Sequence, residues 1–335
     1  MKNIYKASGG DWGGTKVDDA YMKFLEDMLG KETIEEFKRS NMDDYMFMIR
    51  EFELKKRTVD PVKSVKPMIF RIPFGLLVKN IRGKKIHEVI KDSPFDSTVS
   101  IKDDKMKVNV SVVTNFFKTQ VDAIVEHVSN LIDQSIIGDI AAVVLVGGFS
   151  NCPLLQQAMR TKFDKHTNIV PNDPELAVLK GAVIFGHKPE LISQRVSKYT
   201  YGTNKSAHFI EHVHRESYKV KDENGDAYCE HLFSKHITAG QCLNVQKAQV
   251  EKNYLPFNSN QIAIRFPIYY TLDPDPMYVT DEGCHIADEL EVPIEGSGLA
   301  RSVNVRMIYG GTEIEVEATE VATEKVHRLR IDFLS

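Results

Sequence analysis

The segment at residues 140–159 constrains the fold more than any other part of the chain. It reads IAAVVLVGGFSNCPLLQQAM, a short apolar run, a glycine pair, and then apolar residues at helical spacing. An uninterrupted apolar run of this length is typical of a strand that is buried on both faces of a sheet. Ser150 or Asn151 is expected to cap the helix, and Pro153 suits its first turn. The segment therefore predicts a strand–turn–helix unit, in which the backbone can approach a ligand at a helix N-terminus.

The residues before this segment alternate between helical and strand patterns. Apolar spacing predicts helices at residues 17–28 and 46–59, the latter ended by Pro61, and Thr33 with Glu36 has the form of a capping box that opens a helix between them. Further elements are predicted as strands at residues 65–74 and 99–111, the second folded into a hairpin at Asp103-Asp104, and as helices at residues 116–132 and 175–185.

The last part of the chain is patterned almost entirely as strands. Asn224-Gly225 is a hairpin signal, residues 303–309 and 314–318 alternate on either side of Gly310-Gly311, and residues 329–333 form a closing strand. Several short strands joined by regular turns indicate a β-sandwich. We therefore expect an α/β domain over residues 1–187, a linker over 188–198 and an all-β sandwich over 199–335.

Composition narrows the class of protein. The 335 residues hold 43 Lys and Arg against 47 Asp and Glu, a net charge of −4, which gives no electrostatic footprint for nucleic acid. The longest apolar stretch, residues 140–149, is too short to span a bilayer, and the first residues carry no secretion signal. The four cysteines form no CxxC pair, which favours a reducing compartment. We therefore expect a cytoplasmic protein with no membrane insertion.

Three short segments carry candidate ligand contacts. The pairs Gly147-Gly148 and Gly13-Gly14 each precede a helix and could cradle a ligand, although such turns also occur merely to close a strand–helix unit. Glu53, Lys56 and Arg57 share one helix face at i, i+3 and i, i+4 spacing. This face is either solvated, or it offers a guanidinium plane, an ammonium and a ribose-hydroxyl acceptor to an adenosine group.

The sequence offers little support for a metal site or for other known catalytic motifs. His212-x-His214 and Cys229-x-His231 could face one side of a strand, but no second ligand pair follows at metal-site spacing, so we interpret the histidines as surface residues. The chain contains no GxxxxGK[ST], GxSxG or HExxH motif, which argues against P-loop, hydrolase-elbow and zincin chemistry. We therefore predict no metal site.

Taken in order, the segments resemble the 70-kDa heat-shock family, and most closely its divergent 12A/12B branch. The resemblance is carried by GGDWGGTKVDDAY (residues 9–21), EFELKKRT (51–58), VVLVGGFSNCPLLQQAM (143–159) with VPNDPELAVLKGAV (170–183), and the terminal IDFLS (331–335). It implies the second lobe of an actin-like ATPase domain, followed by a peptide-binding β-sandwich. It also implies ATP or ADP as ligand, with Mg²⁺ arriving only with the nucleotide, and a role in stress response.

By residue, the resemblance implies that Gly13, Gly14, Gly147 and Gly148 approach the ribose or phosphates. It implies that Glu53, Lys56 and Arg57 hold adenosine from the opposite subdomain. The remaining implied site residues are Phe149, which replaces a serine, and Glu175, which stands where the family usually has an aspartate.

Departures from the family pattern leave the affinity for adenine weakened or vestigial. Asp60 stands in place of a serine beside the adenine and adds a negative charge, and Asn151 replaces the arginine that stacks on the base. Phe149 could stack instead, because an aromatic face contributes about 1–3 kcal/mol per base in related settings.

The phosphate loops of an actin-like ATPase are missing from the sequence. No DxGTT-like or DxGGGT-like segment occurs, and phosphoryl transfer needs positioned donors and Mg²⁺ ligands. The sequence therefore predicts an N-terminally truncated relative with weak adenine-nucleotide binding and no competent hydrolysis.

Two alternatives remain at this point. The first is a nucleotide-independent module that binds unfolded or extended polypeptide clients, or acts as a scaffold, through the β-sandwich. The second is an actin-like sugar or metabolite kinase, which is disfavoured because such enzymes also need the phosphate loops.

Overall fold

The computed structural model describes residues 2–60, 62–63, 66–78, 81, 83–134, 138–309 and 312–332. It divides the chain into two compact units. The first, Gly9–Val183, is called the α/β unit here, and the second, residues 1–8 with 184–335, is called the β unit. The division falls before residue 187, and the first residues join the β unit because Asn3 N donates a hydrogen bond to Gln194 O (3.1 Å).

The α/β unit combines helices with two small sheets. Its helices are α1 (Gly14–Leu29), α2 (Lys31–Ser40), α3 (Met42–Lys56), α4 (Phe74–Leu77), α5 (Ile86–Lys91), α6 (Val110–Ile132), α7 (Pro153–Lys162) and α8 (Pro174–His187), which runs across the unit boundary. Its strands are β1 (Met68–Arg71), β2 (Val99–Lys102), β3 (Lys105–Val108), β4 (Ala142–Val144) and β5 (Thr167–Ile169). The strands form an antiparallel sheet of order β1-β3-β2 and a parallel β4-β5 pair.

An aromatic cluster joins three of these helices. Tyr21 of α1 stacks on Phe52 of α3 with ring centroids 3.9 Å apart, and Phe116 of α6 meets both rings edge-on. Tyr21 and Phe52 are almost completely buried. Burial of aromatic side chains contributes most of the packing energy of such a core, so this cluster fixes α1 against α3.

Several predicted elements are confirmed, and their boundaries are corrected. The hairpin turns at Asp103, whose φ is +55°. The capping box at Thr33 and Glu36 is wrong: Gly30 precedes α2 directly, so Thr33 already lies inside the helix. α3 begins four residues earlier than predicted. Asp43 and Asp44 lie in its first turn, where negative side chains stabilise a helix by interacting with the positive end of its dipole.

The segment around the glycine pair also departs from its prediction. β4 pairs only with β5 among the described strands, and Val144 is 55% exposed, so it is not a strand buried on both faces. Residues 148–151 form a 3₁₀ turn, and α7 is preceded by Cys152 rather than capped by Ser150 or Asn151. Pro153 does occupy the first turn of α7, as predicted.

The β unit consists of antiparallel strands. They are β6 (Gln194–Val196), β7 (Thr200–His208), β8 (Lys219–Lys221), β9 (Ala227–Ile237), β10 (Cys242–Asn244), β11 (Ala248–Tyr254), β12 (Ala263–Thr271), β13 (His285–Pro293), β14 (Val303–Tyr309), β15 (Glu313–Glu320) and β16 (Val326–Asp332). They form a five-stranded sheet of order β13-β12-β7-β9-β8, a four-stranded sheet of order β11-β14-β15-β16, and the pair β10-β6.

One hydrophobic core receives side chains from both larger sheets. Phe266 and Ile268 of β12 and Val305 and Met307 of β14 belong to it and are almost fully buried. The alternation predicted for residues 303–309 is therefore confirmed, because every second side chain faces this core. The residues expected to link the two domains, 188–198, instead contain β6, which pairs with β10 through antiparallel hydrogen bonds.

Asn224-Gly225 lies in a turn, but in a longer one than the predicted two-residue hairpin. Asp222 N donates to Asp226 O, so five residues connect β8 to β9, and Gly225 has a φ of +86°. Four sequence predictions lie outside the described residues: Pro61 as a helix end, Val65 as a strand start, Gly310-Gly311 as a turn, and Phe333 as the last residue of the closing strand. No helix within the described ranges is both long enough and apolar enough to cross a bilayer.

Candidate functional site

A cavity of about 460 Å³ in the α/β unit gathers most of the predicted site residues. It is lined by Gly14, Thr15, Asp18, Glu53, Lys56, Arg57, Phe117, Gly148, Phe149, Asn151, Cys152 and Glu175. The start of α1, the end of α3, the 3₁₀ turn after β4 and the start of α8 supply its walls. These four segments, which are far apart in sequence, thus meet around one cavity, which we call the α/β cavity.

Of the nine residues implied to contact the nucleotide, Gly13 and Gly147 do not line the cavity. Gly13 is the residue before α1. Gly147 has a φ of +91°, a conformation that residues with a side chain rarely adopt. Its N–H donates to Pro174 O (2.7 Å), which ties the turn to the start of α8. Gly147 therefore shapes the wall that carries Gly148 and Glu175.

Lys56 joins the end of α3 to the start of α1. Its ammonium donates to Gly14 O (3.0 Å) and to both carboxylate oxygens of Asp18 (2.6 and 2.7 Å), and it also pairs with Glu53. The Lys56 side chain is only 10% exposed. A buried ammonium is tolerated when carboxylates and hydrogen bonds replace its water. Lys56 therefore holds the end of α3 against the start of α1.

Arg57 and Glu53 form the outer edge of the cavity. Arg57 Nε and Nη2 both donate to Glu53 Oε1, at 2.9 and 2.6 Å. Partial burial by itself would raise the pKa of Glu53, but the hydrogen bonds from Lys56 and Arg57 together outweigh it and lower the pKa below its usual range. Glu53 is therefore ionised at neutral pH and can accept hydrogen bonds.

Asp18 has the opposite shift. Its burial raises the pKa, and the negative charges of Glu53 and Asp19 add to that effect, while Lys56 opposes it. Three carboxylates, Asp18, Glu53 and Glu175, face two cations in the cavity lining. The cavity is consequently better suited to a neutral or hydrogen-bonding group than to an unshielded phosphate.

Phe149 is one of two aromatic residues in the lining, together with Phe117. A methyl group added at Gly14 would lie 3.7 Å from both Phe149 Cδ2 and Lys56 Nζ, so Gly14 keeps the space between them open. The turn that carries Phe149 is held by Ser150 Oγ, which donates to Val146 O (2.6 Å), and by Gln156, which donates to Ser150 O (2.7 Å). These hydrogen bonds fix the turn and therefore the position of the Phe149 ring.

Glu175 and Asn151 close the remaining side, with Asn151 donating to the Glu175 carboxylate. Asp60, expected beside the adenine, does not line the cavity: its Oδ1 accepts from the backbone N–H of Val62 and Lys63. Cys152 lines the cavity, but burial raises the pKa of its thiol, so it is not a thiolate nucleophile. The lining groups are suited to binding rather than to covalent chemistry.

The sequence prediction missed Thr15, Asp18, Phe117 and Cys152 as lining residues. Asp18 had a signal, because it lies one helical turn after Gly14 on the same face of α1. No sequence feature marked Phe117 as a lining residue, because its spacing on α6 is that of an ordinary core residue.

The two His/Cys pairs that the sequence disfavours as metal ligands lie in the β unit. His214 Nδ1 accepts from Ile210 N (3.0 Å), Cys229 is buried, and His231 packs edge-on against Tyr218. Within the described ranges, no three His, Cys, Asp or Glu side chains converge as a metal site.

Comparison with known proteins gives one consistent group of relatives. The chain is 32% identical to heat shock 70 kDa protein 12A of Mus musculus and of Homo sapiens, over 344 residues in each case. It is 28% identical to heat shock 70 kDa protein 12B of Homo sapiens over 349 residues. Each alignment covers 100% of this chain and 50% of the relative, so the chain spans about half the length of the curated relatives it matches. No protein-family model matches the chain. The resemblance to the 12A/12B branch is confirmed.

Proposed function

We propose that this chain, a relative of the 12A/12B branch of the 70-kDa heat-shock proteins, binds the adenosine part of an adenine nucleotide in the α/β cavity. The observation that carries the proposal is the convergence of three separate motif segments, represented by Gly14, Arg57 and Phe149, on one cavity of about 460 Å³. That volume lies within the range of small-molecule sites.

The lining residues have suitable chemistry for a nucleoside. The Phe149 ring and the Arg57 guanidinium are planar groups on which a purine can stack. The ionised Glu53 carboxylate is an acceptor for ribose hydroxyls. Gly14 and Gly148 let the backbone come close to the sugar, because neither carries a side chain.

Among the described residues, the lining of the α/β cavity offers no unpaired cation for phosphate binding or phosphoryl transfer. Both cations of the lining are already paired, Lys56 with Asp18 and Glu53, and Arg57 with Glu53. Phosphoryl transfer requires cations and Mg²⁺ ligands directed at the phosphates. We therefore propose that these residues bind the nucleoside and that any hydrolysis by the whole protein depends on other groups.

The two units can be assigned to the two domains that the family resemblance implies. We interpret the α/β unit as an actin-like lobe and the two larger sheets of the β unit as the layers of a β-sandwich, because both sheets contribute to one core. By analogy with the named relatives, we propose a chaperone-like role in the cytoplasm.

Calorimetric titration of the chain with adenosine and with ADP tests the nucleoside proposal. We expect Phe149→Ala and Arg57→Ala each to weaken adenosine binding about tenfold, since a base stack contributes about 1–3 kcal/mol. Lys23→Ala is the matched control: it breaks an exposed i, i+4 pair with Asp27 on α1, and Lys23 does not line the cavity. Absence of binding at millimolar adenosine, or binding that both variants leave intact, would overturn the proposal.

A second candidate function is polypeptide binding by the β unit, independent of nucleotide. It is favoured by a cavity of about 980 Å³ whose lining comes from β7, β9, β11, β12 and neighbouring loops. Extended peptides bind sheet proteins through backbone hydrogen bonds and side-chain pockets. Peptide binding that does not respond to adenosine would support this function.

A further inference from the structure

The cavity of the β unit has an apolar side and a polar side. Its apolar and aromatic lining comes mainly from Tyr228, Leu255, Phe257, Ile264, Phe266 and Leu299. Leu255 is 60% exposed, so part of this side is accessible. The polar side is formed by residues of β7 and β11 together with Ser234 of β9. We call the whole hollow the β cavity.

Two lysines dominate the polar side. Lys205 of β7 is exposed and Lys252 of β11 is half-buried. No carboxylate among the described residues forms an ion pair with either ammonium, and the Lys252 ammonium donates only a long hydrogen bond to Ser234 Oγ (3.4 Å). Burial lowers the pKa of Lys252, and the charges of Lys205 and Lys235 lower it further.

A buried hydrogen-bond network begins at Ser234, the residue that Lys252 contacts. Ser234 Oγ shares a hydrogen bond with the Tyr254 hydroxyl (2.8 Å), and that hydroxyl shares another with His236 Nε2 (2.8 Å). Ser234 and His236 are 2% and 3% exposed. Since His236 is neutral at pH 7, this network positions hydroxyl groups without supplying a negative charge for the lysine.

The other charged groups of the lining are already engaged. Asp222 Oδ1 accepts from the backbone N–H of Asn224 (3.0 Å) and Asp226 (2.8 Å), which holds it in the turn after β8. Arg265 donates to Glu291 (2.8 Å) on β13. Outside the lining, Lys235 pairs with Asp275. Asp222 keeps its negative charge, but Lys205 and Lys252 outnumber it and neither is ion-paired with a described residue, so the net charge of the β cavity lining is positive.

We propose that the β cavity binds an extended polypeptide segment that carries an acidic side chain, with its carboxylate at Lys252, Lys205 and Ser234. Neighbouring apolar side chains of the segment pack on Leu255 and Phe257. This inference rests on the second candidate function and gives its substrate class. A carboxylate would provide Lys252 with the partner it lacks, and charge-assisted hydrogen bonds of that kind are stronger than neutral ones.

Fluorescence anisotropy with three labelled seven-residue peptides tests the inference on the whole chain. The peptides are leucine-rich and differ only in a central glutamate, glutamine or lysine. We expect the glutamate peptide to bind about tenfold more tightly than the glutamine peptide, and high salt to reduce this preference. We expect the lysine peptide to bind most weakly.

Lys252→Met and Lys205→Met should each reduce the preference for glutamate while leaving the affinity for the glutamine peptide nearly unchanged. Lys247→Met is the matched control, an exposed lysine of the same unit that does not line the cavity. Equal affinity for the glutamate and glutamine peptides would overturn the charge assignment while leaving peptide binding in place. Absence of binding by all three peptides would instead refute the second candidate function and this inference with it.

Discussion

The ammonium of Lys56 lies 2.6 and 2.7 Å from the two carboxylate oxygens of Asp18, which connects the end of α3 to the second turn of α1. These two helix ends supply two walls of the α/β cavity. The shape of the proposed nucleoside site therefore depends on an interaction inside the unit, and perturbing that interaction should affect folding as well as binding.

Lys56→Met should destabilise the α/β unit by about 2–3 kcal/mol, because Asp18 and Glu53 lose a buried shared partner. Urea unfolding followed by the fluorescence of Trp12, the single tryptophan, measures this change. Asp18→Asn in the same chain should recover part of the loss, so a double-mutant cycle gives a coupling energy. Lys118→Met, which breaks an exposed pair with Asp122, should change stability by less than about 0.5 kcal/mol. Equal effects of the two lysine variants would contradict the internal role of Lys56.

Gly14→Ala should raise the stability of the fold and lower the affinity for adenosine. Alanine is the better helix former, so we expect the variant to be more stable by about 0.5 kcal/mol. The added methyl would occupy the space between Phe149 and Lys56, and adenosine affinity should fall roughly tenfold. Gly181→Ala of α8, where nothing lies within 4 Å of the new methyl, should leave affinity unchanged. Undiminished adenosine affinity of Gly14→Ala would exclude a ligand at this position.

Gly202→Ala should strongly destabilise the β unit. A Cβ at Gly202 would overlap the carbonyl oxygen of Ser234 on the neighbouring strand and lie 2.6 Å from Phe233 Cε1. Overpacking of this kind costs about 1–3 kcal/mol, and more when backbone has to move. Thermal unfolding should show a lowered midpoint, whereas Gly186→Ala, with open space around the methyl, should not lower it. An unchanged midpoint for Gly202→Ala would contradict the β7–β9 register.

Stability of the β unit should decrease in mild acid. Burial, together with the charge of Lys252, lowers the pKa of His236 from 6.5 to about 4. The unfolded chain therefore binds this proton more tightly than the folded chain, and the free energy of unfolding falls as pH drops from about 6.5 towards 4. From pH 7 to pH 5 the loss from this group is about 2 kcal/mol. Urea titrations at both values measure it, and His236→Gln should lose about that much of the pH dependence; an unaltered dependence would refute the assignment.

The sequence predicted local features well where neighbouring residues decide the outcome. The hairpin at Asp103-Asp104 and the alternation of residues 303–309 are of this kind, because turn chemistry and strand periodicity are local. The convergence of Gly14, Glu53, Arg57 and Gly148 on one cavity was expected only through the family resemblance, since no spacing rule brings segments so far apart together.

Features that depend on the surroundings of an element were predicted less well. The apolar run at residues 140–146 predicted a strand buried on both faces, yet Val144 is 55% exposed. The burial of a strand face depends on the elements that pack against the sheet, which the run itself does not encode. Lys252 and Lys205 gave no sequence signal, since their proximity follows from how β7 and β11 are placed by two different sheets.

NMR of the backbone amides locates the adenosine site on the chain and is the sharpest test of the proposed nucleoside binding. On titration of the ¹⁵N-labelled chain with adenosine, we expect the largest chemical-shift changes at the amides of Gly14, Arg57, Gly148 and Phe149, and unchanged chemical shifts for the amides of residues 199–332. Shift changes centred elsewhere, or none at millimolar adenosine, would contradict the proposal.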